Sequence, residues 1–185
     1  MSCDETSAPR VLREGKTLRS PRLVLEPFSL DFVTDAYIGW MNDPEIRKGL
    51  VSNQGRDTTR SDLEQYVRSL GPDTLQFAIL REGRHIGNIK IYDWQPHHRR
   101  MEVGYLIGER ALSGKGFATE AVGRVVEFCF DEVLLHKVTS GCFVGNEASA
   151  RVLVKNGFAP EGTLRDHFWI QGEFIDVLRF GKIAG

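Results

Sequence analysis

The residues best suited to chemistry in this chain are Ser113-Gly114-Lys115-Gly116-Phe117-Ala118-Thr119. Two glycines one residue apart let a backbone approach a ligand with no Cβ in the way. An apolar run, Val103 to Ile107, leads in, and an apolar-periodic run, Ala118 to Val133, leads out. The pattern predicts strand, glycine turn, helix. A helix start offers free N–H groups and the positive end of its dipole, so the expected guest is an anion, phosphate above all. Lys115 adds a positive charge. Two familiar phosphate loops do not fit. A P-loop requires G-x-x-x-x-G-K-[ST], but Glu109 stands at its first position and Gly116 follows the lysine. The dinucleotide fingerprint is met at Gly114 and Gly116 and missed at Thr119. Neither a nucleoside triphosphate nor a dinucleotide is expected, and a plain connecting turn remains the alternative.

The elements that must position this turn follow from local signals. Residues 1–18 show little periodicity and are expected to form a loose arm, with residues 19–185 as one domain. Arg22 to Pro27 reads as a strand. A helix capped by Ser29 or Asp31 is predicted to run to Asn42-Asp43-Pro44, and a second follows from Thr59 to Leu70 after a polar loop from Gly49. Gln76–Leu80, His85–Tyr92 and Met101–Ile107 are predicted as an antiparallel meander. After the glycine turn comes the clearest helix, carrying Val122, Val125, Val126 and Cys129. A strand from His136 to Val144, a helix capped by Asn146, and a hairpin turning at Gln171-Gly172 complete the chain. The strand either side of the central helix must run parallel through a crossover. The expected class is a mixed α/β (α+β) sheet.

Composition removes several function classes. The 185 residues carry a net charge of −1, which leaves no global footprint for nucleic acid. No apolar run approaches the ~20 residues of a membrane span. The three cysteines, Cys3, Cys129 and Cys142, have no metal spacing, and no metal is expected. Their odd number and the lack of a signal peptide point to a reducing cytoplasm.

A wider pattern then becomes specific. Ser113-x-x-Gly116-x-Ala118 with Thr119-Glu120-Ala121 is followed by Asn146-x-x-Ser149-x-x-Val152-x-x-Lys155-x-Gly157-Phe158, then Glu161-Gly162-x-Leu164-Arg165. Trp40-Met41-Asn42-Asp43-Pro44-Glu45 adds a third match. Together they resemble the GNAT superfamily of N-acetyltransferases over residues 20–182, most closely its ribosomal-protein-alanine N-acetyltransferase branch. Ser113 departs from the family's usual Arg or Gln, and Val154 stands where the branch often has Glu.

The resemblance implies a mostly antiparallel sheet of about seven strands and four helices, splayed between its two central strands. It implies acetyl-CoA as co-substrate and a primary amine as acceptor, with the chain acting as a monomer or homodimer. By the same resemblance the edge at Leu106 and Ile107 bonds the pantetheine arm, residues 113–119 hold the pyrophosphate, and Asn146 and Ser149 meet the thioester end. Glu102 is the first candidate base and His167 the second. Ser149 is the candidate donor to the leaving thiolate. Each has a plain alternative: a solvated strand glutamate, a strand histidine, a first-turn serine bonding backbone N–H groups. Trp40 and Trp169 fall in segments expected to line the acceptor cleft, and Asp166 is a candidate to attract the cationic amine, with a solvated charge as its plain alternative. The acceptor expected first is a protein N-terminal α-amine, with an amino sugar or nucleotide sugar as alternative. Polyamines and aminoglycosides are disfavoured because no long acidic run is present. A non-catalytic acyl-CoA-binding module is the alternative of another class.

Overall fold

The computed structural model describes Leu12, residues 15–51 and residues 55–185. Most of the expected N-terminal arm, Cys3, and part of the loop after Gly49 lie outside the described residues. Within the arm, Leu12 and Leu18 are buried in the main core.

Among the described residues the strands are β1 (Leu18–Arg19), β2 (Val24–Pro27), β3 (Leu75–Arg81), β4 (Arg84–Gln95), β5 (Arg100–Ile107), β6 (Lys137–Phe143), β7 (Ala159–Ile170) and β8 (Glu173–Ile183). The α-helices are α1 (Asp35–Asn42), α2 (Pro44–Arg47), α3 (Arg60–Ser69), α4 (Phe117–Asp131) and α5 (Glu147–Lys155). One sheet runs in the order β1-β2-β3-β4-β5-β6-β8-β7. Every neighbouring pair is antiparallel except β5 and β6, which the α4 crossover makes parallel. The expected mixed, mostly antiparallel sheet is present, with one more strand and one more helix than the expected seven and four.

Two differences have local causes. The first helix does not begin at Ser29. Ser29 caps only a 3-10 turn, Leu30–Phe32, and Thr34 then caps α1 by accepting from Tyr37 N–H. Asp43-Pro44, expected to end the first helix, also opens the separate helix α2. Asp43 caps it and Pro44 starts it, where a proline loses no hydrogen bond.

The sheet has two covered faces. Ile89, Ile91, Met101 and Val103 pack with α4 and α5 residues such as Val122, Val125 and Leu153 in one core. Alternation then sends Asn88, Lys90, Tyr92, Glu102, Gly104 and Leu106 to the other face, where Tyr37, Met41 and Leu63 of α1 and α3 form a smaller cluster.

The central pair holds together only briefly. β5 and β6 are in register at Arg100↔Lys137, Met101↔Val138 and Glu102↔Thr139, and no further. There the Thr139 hydroxyl donates to Met101 O (3.3 Å) and the Ser140 hydroxyl to Val103 O (2.9 Å). These buried side chains stand in for ladder bonds at the branch point. Beyond it the sheet is split, as the family resemblance implied.

Candidate active site

A cavity of about 1280 Å³ runs through the split and is lined from both faces of the sheet. On the α4 and α5 side it meets Ser113, Gly114, Gly116, Phe117, Ala118 and Thr119. Gly114 has φ +74° and Gly116 φ +82°, in the left-handed region that side chains rarely adopt. Gly116 caps α4 with no side chain bonding the helix end. The first intrahelical bond is Glu120 N–H to Gly116 O (3.0 Å), so the N–H groups of Phe117, Ala118 and Thr119 precede the ladder. The donor set suits a diphosphate.

Something must hold so bare a turn still. Arg22 donates to the Lys115 carbonyl (3.1 Å) and pairs with Glu120 (2.6 Å). Glu120 also accepts from the Ser20 hydroxyl and from Arg22 N–H, both at 2.7 Å. Burial by itself would raise the Glu120 carboxyl, but these bonds outweigh it and hold it below the ordinary value. Arg22 also lies over the Phe117 ring, 4.5 Å from its centre. The Lys115 side chain does not line the cavity. On the far side, Asn156 donates to Thr119 O (3.1 Å), and Gly123 leaves room for it: a Cβ there would stand 2.9 Å from Asn156 Oδ1.

At the pinch, Tyr105 spans the split. Its hydroxyl lies 2.8 Å from Ser149 Oγ and donates to Ser149 O (3.1 Å). The Asn146 side chain caps α5 by accepting from Ser149 N–H (3.1 Å). The Ser149 hydroxyl is thus free of capping duty and faces Tyr105 and Cys142. Burial pushes the Tyr105 phenol up to about 12, with the Ser149 hydrogen bond opposing. Burial also raises the Cys142 thiol, again opposed by Ser149.

On the other face, Glu102 is fully engaged. Arg179 donates two bonds to its oxygens (3.0 and 2.6 Å) and Tyr92 a third (2.8 Å). Arg179 crosses β6 above Gly141, where a Cβ would stand 3.1 Å from its Nη1. A carboxylate with three donors has little capacity left to accept a proton from substrate. Burial, then the Glu102 charge, pushes the Tyr92 phenol upward.

His167 reaches the cavity from an irregular stretch of β7. The register between Leu164↔Val177 and Phe168↔Ile175 slips, so residues 165–167 form a bulge opposite Asp176. Bulges re-aim side chains in this way. Asp166 sits at its turn with φ +50°, and its N–H donates to Asp176 (2.8 Å). Asp166 does not line the cavity. Neither do the two tryptophans. Trp40 packs on Gly108, where a Cβ would stand 1.9 Å from its ring, and on His85. Trp169 is 60% exposed at the hairpin tip against Phe174. Leu106, Ile107 and Asn146 do line it.

Arg22, Tyr105 and Arg179 were absent from the sequence-based candidates. Tyr105 had a signal, lying between Gly104 and Leu106 on the strand already singled out. Arg22 and Arg179 reach their partners across 98 and 77 residues of chain, and no local pattern marks them.

Comparisons with known proteins bear on the family and the fold. Residues 22–159 match the family model described as "Acetyltransferase (GNAT) domain". The chain is 29% identical to the uncharacterized N-acetyltransferase p20 of Bacillus licheniformis over 173 residues, 91% of this chain and 96% of p20. A shorter stretch of 94 residues, 51% of this chain and 54% of the relative, is 31% identical to a spermidine N(1)-acetyltransferase of Vibrio cholerae. Among solved structures, the ribosomal L7/L12 α-N-protein acetyltransferase RimL, in complex with coenzyme A, superposes with a TM-score of 0.80 at 17% identity, covering 91% of this chain and 98% of that one. The chain belongs to the GNAT acetyltransferase family. It is an acetyltransferase, and its family uses acetyl-CoA.

Proposed function

We propose that the protein transfers the acetyl group of acetyl-CoA to a primary α-amine, with a protein or peptide N-terminus as the first class to test. The observation that carries this reading is the split between β5 and β6, which joins an anion cradle on one face to a polar chamber on the other. In this reading the α4 N–H groups hold the pyrophosphate, and the free edge of β5 at Leu106 and Ile107 bonds the pantetheine as an added strand does. The thioester carbonyl then lies at the pinch, and β5 backbone N–H groups stabilise its developing oxyanion.

The acceptor chemistry follows from proton balance. The amine nitrogen forms a bond to the acetyl carbon, the carbon–sulfur bond breaks, and the nitrogen sheds a proton while the sulfur gains one. An α-amine has pKa ~7.7–8.0, so roughly one molecule in ten is already neutral at pH 7, against fewer than one in a thousand for a lysine. A modest acceptor suffices, such as His167 acting directly or through water. With Glu102 occupied by Arg179 and Tyr92, its part in this reading is to anchor Arg179 and fix the field of the chamber. The Tyr105–Ser149 pair donates to the departing sulfur.

The test is an acceptor panel of peptides with Ser, Ala or Thr N-termini, amino sugars and spermidine, read by thiol release and by mass of the product. α-Amine peptides are expected to turn over best. Spermidine or an amino sugar as the sole substrate would replace this acceptor class. Acetyl-CoA binding with no acetylated product from any amine would point to a binding module instead.

A further inference from the structure

The chamber on the α1–α3 face holds a cation with no acid of its own. Lys90 lies on β4 with Tyr92 and Asn88 on the same face, and all three line the cavity. Its ammonium rests against the rings of Tyr92 (4.5 Å from the centre) and Tyr66 (5.8 Å). Among the described residues no carboxylate forms an ion pair with it. Glu102 acts on it at longer range, but the Glu102 oxygens are already held by Arg179 and Tyr92. The other acids lining this side are also taken: Glu45 by Lys48 (2.6 Å) and Asp62 by Arg56 (2.8 Å). Lys90 and Arg179 therefore face a single carboxylate, and the chamber keeps one positive charge in surplus. Burial lowers the Lys90 ammonium below its ordinary value, with Glu102 opposing. Two residues away on the same strand face lies another unsatisfied donor. Asn88, only 7% exposed, accepts at Oδ1 from His85 Nε2 (2.8 Å), while its buried Nδ2 has no partner. Buried donors of this kind cost free energy unless something accepts from them.

We infer that the acceptor of this enzyme carries a carboxylate, and that Lys90 receives it. The inference rests on the acetyltransferase reading above and narrows its acceptor. The geometry suits a short spacer. Lys90 is in register with Gly104 of β5, one strand spacing of ~5 Å from the edge that opens into the split. Gly104 keeps the ground between them clear; a Cβ there would already touch Tyr92 at 3.4 Å and Lys90 at 3.7 Å. An amine at the pinch thus places a carboxylate a few bonds away over β4. A free amino acid supplies it as its own α-carboxylate, and a peptide supplies it as an Asp or Glu side chain next to the N-terminus. A polycation meets the wrong charge.

The test is equilibrium titration of acetylated, product-like ligands onto the CoA-bound protein. N-acetyl-Ala-Glu amide is compared with N-acetyl-Ala-Gln amide, and N-acetylalanine with its amide. Wild type is expected to favour the carboxylate member of at least one pair by roughly tenfold, the scale of one charge-assisted hydrogen bond. The first pair reports a peptide side chain and the second an α-carboxylate. Lys90→Gln is expected to erase the preference and Lys90→Arg to keep it, with CoA affinity unchanged in both. Equal affinity within both pairs for wild type overturns the inference, with no variant needed. So does a preference that survives in a Lys90→Gln protein that still binds CoA. Selective binding without acetylation of any amine would remove the proposed activity and leave the carboxylate site standing, so the two failures are distinct.

Discussion

Tyr105 and Ser149 make the most local test of the chemistry. They meet at 2.8 Å where the sheet divides, one from β5 and one from the first turn of α5. If this pair donates to the leaving thiolate, removing the serine hydroxyl should lower kcat by ~10²-fold, the low end for a positioned proton donor. Removing only the phenol leaves the donor but loosens it, and Tyr105→Phe should cost roughly tenfold, one modest hydrogen bond. Both variants should bind CoA within about threefold of wild type, since the cradle at Gly114 to Thr119 is untouched. The pH dependence has a definite sign. Burial favours the neutral phenol and pushes Tyr105 up to about 12. It therefore remains a donor through the alkaline range used for assays. Wild type and Tyr105→Phe should show the same shape of kcat against pH, differing in height. A fall in the wild-type profile near pH 10 that vanishes in Tyr105→Phe would contradict the assignment.

At the scale of elements, the glycine turn is only as firm as its brace, and the brace comes from the start of the sheet. Glu120, in the first turn of α4, gathers the Ser20 hydroxyl, Arg22 N–H and the Arg22 guanidinium. Its folded pKa lies below the ordinary carboxyl value, so the bonds stabilise the fold above that value and are lost as pH falls through the folded one. Urea unfolding of wild type and Glu120→Gln should therefore differ most near neutral pH. The gap should narrow as pH falls below the ordinary carboxyl value and through the folded one, and a constant gap would mean that the charge is not what braces the turn. This element also shows what could be read beforehand. Strand, turn and helix from Val103 to Val133 were legible because their causes are local: two glycines forced to positive φ, then an apolar stripe at helical period. The hairpin at Gln171-Gly172 was legible for the same reason, with both residues at positive φ. The start of α1 was not, because Ser29, Asp31 and Thr34 are all competent caps and the turn after Ser29 is closed by 3-10 bonds. Nor was the engagement of Glu102. A glutamate on a strand looks the same in sequence whether it faces water or an arginine arriving from β8 over Gly141.

At the scale of the whole molecule, the seam between β5 and β6 decides both binding and mobility. Among the described residues these strands share three register pairs, whereas β3 with β4 and β6 with β8 share seven each. The two sides of the sheet are otherwise joined by the α4 and α5 packing, by the Tyr105 bridge to Ser149 and by the Arg179–Glu102 pair. Segments with few cross-links open first in local unfolding. The free protein should therefore exchange the backbone amides of 104–107 and of the α4 first turn, 116–119, faster than those of β3 and β4. A ligand that bonds the β5 edge and the α4 N–H groups at once would close both. It would also tie one side of the sheet to the other, stabilising the native state by ~2.7 kcal/mol at a hundred times its dissociation constant. Hydrogen exchange with and without CoA should then show protection concentrated at 104–107 and 116–119, with β3 and the β3–β4 turn unchanged. Gly116→Glu, which puts a side chain and a negative charge into the cradle, should lose the protection in both segments together. The joint loss is the informative outcome. Protection that disappeared at 116–119 and persisted at 104–107 would mean that the cradle and the strand edge serve different ligands, and that the split in the sheet is not one continuous binding site.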